Sequence, residues 1–82
     1  MNITVYSLPA CVQCDSTKRM LTKGGVEFAE IDLSTDAVAM ERIKELGYSQ
    51  APVVEAGNQH WSGFRMEKLQ QVINQAKADI NK

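Results

Sequence analysis

The chain is short of the residues that most metal, nucleic-acid and membrane chemistry needs. Its 82 residues include only two cysteines and one histidine, His60. A tetrahedral zinc site takes four ligands, so a single copy of this chain has too few, and no metal is expected. The formal net charge of −1 gives no field for drawing in DNA, RNA or an acidic membrane. There is no polybasic block and no apolar run long enough to cross a bilayer. The first residues, Met1-Asn2-Ile3-Thr4-Val5-Tyr6, lack the basic start and long apolar stretch of a secretory signal. A cytoplasmic location is therefore expected, where thiols stay reduced and structural disulfides are rare.

What is present is ordinary for one globular domain spanning 1–82. Hydrophobic residues make up 44 % and charged residues 23 %, which argues against disorder. A chain this small buries somewhat over ~60 % of its unfolded surface, enough for one sheet with a few helices. A monomer is expected. No internal repeat, low-complexity tract or linker interrupts it.

The pattern alternates strand and helix. Asn2 to Tyr6 reads as strand one; Pro9 and Ala10 break it, and helix one follows from Cys11 or Val12 to Lys23. Gly24-Gly25 offers a left-handed cap for that helix. Val26 to Leu33 reads as strand two. Ser34, Thr35 and Asp36 are candidate N-caps for a helix running to Leu46, with Ala39, Met40, Ile43 and Leu46 as its apolar stripe. Val53-Val54-Glu55 and Gln59-His60-Trp61 flank the turn signal Ala56-Gly57-Asn58 and predict an antiparallel hairpin. Ser62-Gly63 then opens helix three, with Met66, Leu69, Ile73, Ala76 and Ile80 as its stripe. Met40 and Met66 read as core. The order β-α-β-α-β-β-α predicts an α/β fold, a four-stranded mixed sheet flanked by three helices, with a parallel right-handed crossover between the first two strands.

Both cysteines fall in one motif, Cys11-Val12-Gln13-Cys14, at a strand-to-helix junction. Unpaired N–H groups and the positive end of the helix dipole favour a thiolate at Cys11. Cys14 lies one turn deeper on nearly the same face. The spacing suits an attack by Cys11 on a disulfide and resolution of the mixed disulfide by Cys14. Half a metal site and a pair of inert core thiols are the rival readings. Lys18 and Arg19 read as a solvated helix face, from which one cation could steady the Cys11 thiolate. Ala51-Pro52 precedes a strand, where proline is allowed. Although few X–Pro bonds are cis, a cis bond is expected in this setting, leaving the backbone of Ala51 free for a substrate strand.

Three stretches, Cys11-Val12-Gln13-Cys14, Ala51-Pro52-Val53-Val54 and Trp61-Ser62-Gly63-Phe64-Arg65, resemble the NrdH-redoxins, glutaredoxin-like proteins of the thioredoxin fold. The resemblance covers essentially the whole chain. It implies a thiol–disulfide carrier that donates electrons to the large subunit of class Ib ribonucleotide reductase. Re-reduction would come from thioredoxin reductase and NADPH, with no bound cofactor beyond the redox disulfide. It gives Cys11 the nucleophilic role, Cys14 the resolving role and Pro52 the cis bond. Val12, Gln13, Ala51, Pro52, Trp61, Ser62, Gly63, Phe64 and Arg65 would make the partner-binding surface. The chain departs from the pattern at Met66, where members often have proline, and it shows no clear match to the buried acid of thioredoxins.

A glutathione-dependent glutaredoxin is the main alternative, and a binding module whose cysteines never turn over is the second. Glutathione calls for polar or acidic groups at the start of helix three, whereas Trp61 to Arg65 supply two aromatics and a cation. That run is expected to suit a protein surface better than a charged tripeptide.

Overall fold

Strand β1 (Ile3–Ser7) is buried along nearly its whole length, as a β-branched and aromatic run requires of a central strand. The computed structural model describes residues 2–80, with side chains through residue 78; Ile80 of the predicted stripe lies outside the described side chains. After β1 come α1 (Val12–Lys23), β2 (Ala29–Asp32), α2 (Ala37–Glu45), β3 (Val53–Ala56), β4 (Gln59–Ser62) and α3 (Met66–Ile80). The sheet order is β2-β1-β3-β4. β1 runs parallel to β2, with Val5 opposite Glu30, and antiparallel to β3, with Val5 opposite Val54. The β3–β4 hairpin sets Val54 opposite Trp61. This is the mixed thioredoxin-like sheet that the sequence predicts.

Side-chain alternation along the strands divides the core in two. Ile3, Val5, Val54, Ala56 and Trp61 meet Leu21 of α1 and Leu69, Val72 and Ile73 of α3 on one face. Tyr6 and Val53 meet Leu33 and the α2 residues Ala39 and Ile43 on the other. Met40 is half-buried against this second cluster.

Several predicted boundaries shift, for local reasons. Gly25 takes φ +73, its N–H donates to the Thr22 carbonyl at 3.0 Å, and the Val26 N–H donates to the Leu21 carbonyl at 3.1 Å. This pair of hydrogen bonds closes α1 as a Schellman motif, so Val26 belongs to the helix end and β2 starts only at Ala29. Of the three N-cap candidates, Asp36 takes the position, accepting the Ala39 N–H at 3.0 Å. Helix three opens at Met66, because Ser62 is still in β4 and Gly63 to Arg65 form a loop. Met66 is 59 % exposed and is not core. Met66 is the first residue of α3, and helical side chains lean toward the N-terminus, away from the turns that carry Leu69, Val72 and Ile73 into the core. Val72, absent from the predicted stripe, is buried in its place.

A polar tie crosses the α2 face. The Tyr6 hydroxyl donates to Glu55 at 2.6 Å, and Arg42 of α2 pairs with Glu55 at 3.0 Å. Hydrogen bonds from Arg42 first, then Tyr6, hold the Glu55 carboxyl below the usual glutamate range. Burial first, then Glu55, raises the Tyr6 phenol. A depressed folded value stabilises the fold fully above the ordinary glutamate range and loses that contribution as pH falls through the folded value. Thermal unfolding from about pH 7 to about pH 3 should therefore show a smaller drop in Tm for Glu55→Gln than for the wild type. Equal drops would remove Glu55 from the acid response.

Candidate functional site

The redox pair sits where β1 hands over to α1. Leu8, Pro9 and Ala10 are exposed, and Ala10 adopts φ 55, the left-handed region that non-glycine residues enter at a cost. The chain then extends through Cys11, the N-cap of α1, whose Sγ accepts the Cys14 N–H at 3.1 Å. Cys11 and Cys14 are joined as a disulfide, with Cα atoms 5.2 Å apart. The two ends differ sharply. Cys11 is half-buried, while Cys14 is 0 % exposed. Val12, between them, is 80 % exposed. Leu8, three residues before the pair, is exposed as well.

The Ala51–Pro52 bond is cis, as expected. Pro52 is buried and Ala51 half-buried. Three hydrogen bonds tie the loop after β4 to its surroundings. Ser62 Oγ donates to the Gln50 carbonyl at 3.2 Å. The Gly63 N–H donates to the Pro52 carbonyl at 2.8 Å. The Phe64 N–H donates to Gln13 Oε1 at 3.3 Å. Gly63 stands at φ +88, a conformation that suits glycine and turns this loop toward Gln13. The third bond gives Gln13 a structural reason that its place inside the motif does not reveal, because its partner lies 51 positions away.

Other predicted site residues fall differently. Trp61 is 3 % exposed within the α1/α3 core, since its hairpin register points it inward opposite Val54. Its ring therefore supports the loop from below and is not a contact surface; Lys68 Nζ stands 5.8 Å from its centroid, within cation–π range. Phe64 is half-buried against the same core. Arg65 is exposed and pairs with Glu67 at 3.3 Å. An acid thus does stand in the first turn of α3, two residues past the run in which none was found. Its own backbone N–H first, then Arg65, keeps Glu67 below the usual glutamate range. Lys18 is drawn across to β2, 2.7 Å from Glu30 and 3.7 Å from Asp15. Bonded to Glu30, its ammonium is raised above the ordinary value, while Lys18 first and Ser7 second lower Glu30. His60 makes a 2.7 Å hydrogen bond with Tyr48.

A strand-to-helix disulfide beside a cis proline, on a β2-β1-β3-β4 sheet, defines a dithiol redox protein of the thioredoxin fold. Comparison with known proteins narrows the class. Residues 3–61 match the glutaredoxin family model. The glutaredoxin-like protein NrdH of Escherichia coli K12 is 41 % identical over 69 residues, covering 84 % of this chain and 85 % of that one. Its namesake in Lactococcus lactis subsp. cremoris is 34 % identical over 67 residues, covering 82 % and 93 %. The solved structure of E. coli NrdH-redoxin superposes with TM-score 0.84 at 39 % identity, over 87 % of this chain and 93 % of that one. The chain belongs to the glutaredoxin family and, within it, to the glutaredoxin-like NrdH-redoxins.

Removing the Gln13 amide should loosen the loop selectively. One net hydrogen bond is worth roughly 1 kcal/mol, so Gln13→Ala should speed hydrogen exchange at the Phe64 amide about fivefold, read by NMR. Leu69, in the core, should not respond. Unchanged exchange at Phe64 would show that the Gln13 bond does not hold the loop.

Proposed function

We propose that this chain carries electrons to class Ib ribonucleotide reductase and is recharged by thioredoxin reductase at the expense of NADPH. The observation that carries the reading is the unequal exposure of the disulfide: Cys11 half-buried at a helix N-terminus and Cys14 fully buried one turn in. Cys11 is the nucleophile and Cys14 the resolving thiol. The Cys11 thiolate attacks one sulfur of the partner's disulfide; that S–S bond breaks, and the leaving thiolate takes a proton from solvent. Cys14 then gives up its thiol proton and attacks Cys11 Sγ. The bond from Cys11 to the partner breaks, the partner's second thiolate is protonated, and Cys11–Cys14 closes. Two electrons and two protons have passed to the partner. The reductase dithiol reverses the exchange, with electrons supplied by NADPH, and the chain itself needs no bound cofactor.

The E. coli relative's activity profile is described as thioredoxin-like although the protein is glutaredoxin-like, which supports the reductase over glutathione here. The exposed apolar residues Leu8 and Val12 beside Cys11 also suit a protein partner. The cis Ala51–Pro52 edge offers backbone for a substrate strand to pair with. No described helix is long and apolar enough to cross a membrane, and the reading takes the protein as a cytoplasmic monomer. Glu67 beside Arg65 favours glutathione, by giving its ammonium a counter-charge.

Oxidised protein mixed with NADPH and thioredoxin reductase should consume NADPH, whereas turnover only with glutathione and glutathione reductase would favour the rival. Cys14→Ser should trap protein partners as mixed disulfides through Cys11. Trapping that survives loss of Cys11 and requires Cys14 would reverse the two roles.

A further inference from the structure

A shallow groove of about 310 Å3 runs along α1 away from the disulfide, lined by Ser16, Arg19, Met20, Lys23 and Phe64. Its floor is apolar: Met20 and Phe64 are both half-buried against the main core. Its rim is cationic, with Arg19 and Lys23 both exposed. Lys18, Arg42 and Arg65 are paired with Glu30, Glu55 and Glu67, whereas Lys44, Lys68 and Lys77 lie elsewhere on the chain and do not line this groove. Among the described residues, neither Arg19 nor Lys23 forms an ion pair with a carboxylate. The two sit one turn apart on a single helix face, an arrangement of like charges that destabilises a helix on its own. This local excess of positive charge stands out on a chain of net charge −1.

The groove is also joined to the redox motif. Phe64 forms one wall, and its N–H is the group held by Gln13. Whatever seats against Phe64 therefore touches a loop tied to the residue beside Cys14.

We infer that this groove docks an extended acidic segment of the protein whose disulfide is being reduced, an apolar side chain resting on Met20 and Phe64 and a carboxylate between Arg19 and Lys23. The inference rests on the proposed electron-carrier function and deepens it by naming the chemistry of the docking sequence. Distance sets the spacing. At ~1.5 Å per helical residue, Arg19 lies about 12 Å and Lys23 about 18 Å along the axis from Cys11. An extended peptide advances ~3.3 Å per residue, so the carboxylate belongs roughly four to six residues from the attacked cysteine.

The test uses short synthetic peptides, each with one cysteine in a mixed disulfide with a neutral small thiol. One carries glutamate five residues from the cysteine, a second glutamine there and a third lysine. Reduction rates are measured with the reduced protein, and the readout is the glutamate-to-glutamine rate ratio within each variant, so changes at the redox pair itself cancel. Two exposed ion pairs should make that ratio roughly threefold to tenfold in the wild type at low salt, and added salt should shrink it. In the double variant Arg19→Glu/Lys23→Glu the glutamate preference should disappear and the lysine peptide should become the faster one. A wild-type ratio near one, or a ratio that survives the charge reversal, would overturn the groove assignment. Failure of every peptide to be reduced by the wild type would instead defeat the electron-carrier reading. In that case, binding of the glutamate peptide to the oxidised protein, followed by fluorescence anisotropy for the wild type and the reversed variant, still decides the groove.

Discussion

Cys11 Sγ accepts the Cys14 N–H at 3.1 Å, so the sulfur of the less buried cysteine is also the group that caps helix α1. The first N–H groups of a helix have no intrahelical partner, and here one of them points at that sulfur. Negative charge on that sulfur is favoured by the same N–H and by the dipole behind it. The cap sets the positions of the other parts. It places Cys14 one turn in, where the α1 side chains face the sheet and exposure falls to zero. It also requires the chain to arrive extended at Cys11, and the turn from β1 is completed by Ala10 at positive φ.

Around that cap the site is assembled from segments far apart in sequence. The motif at 11–14, the cis peptide at 51–52 and the loop at 63–65 are tied by hydrogen bonds, from the Gly63 N–H to the Pro52 carbonyl and from the Phe64 N–H to the Gln13 side-chain oxygen. The sheet makes this possible. β3 pairs with β1, and β4 pairs with β3, which carries both the end of β4 and the start of β3 to the edge of the sheet where β1 ends. Trp61 anchors the arrangement from inside, packed among residues of β1, β3, α1 and α3. Its indole N–H has no protein partner among the described residues, which fits a residue placed for bulk.

Local signals carried most of the fold. Strand β1, the glycine closure of α1, the hairpin turn and the strand–helix alternation were all legible, because each depends on residues close together in the chain. The redox pair was legible for the same reason. Elsewhere the residue types mislead. Val26 is strand-like, but a local bond to Leu21 gives it to the helix closure, and Met66 fits a helical stripe yet stands 59 % exposed in the first turn of α3. Trp61 is polar at one end and apolar at the other, so only the register opposite Val54 shows which way it faces. Gln13 has no readable role until the chain has folded 51 positions back on itself. Glu67 lies two residues beyond the Trp61 to Arg65 run, and only its ion pair with Arg65 joins it to that run.

The central claim is that folding makes two chemically identical thiols unequal, and thiol labelling tests it most directly. The reduced protein is exposed to a brief pulse of iodoacetamide near neutral pH, digested, and the label at each cysteine quantified by mass spectrometry. Cys11 should take at least about tenfold more label than Cys14 while the protein is folded, and the difference should vanish in denaturant. Equal labelling of both cysteines in the folded protein, or preferential labelling of Cys14, would contradict the account.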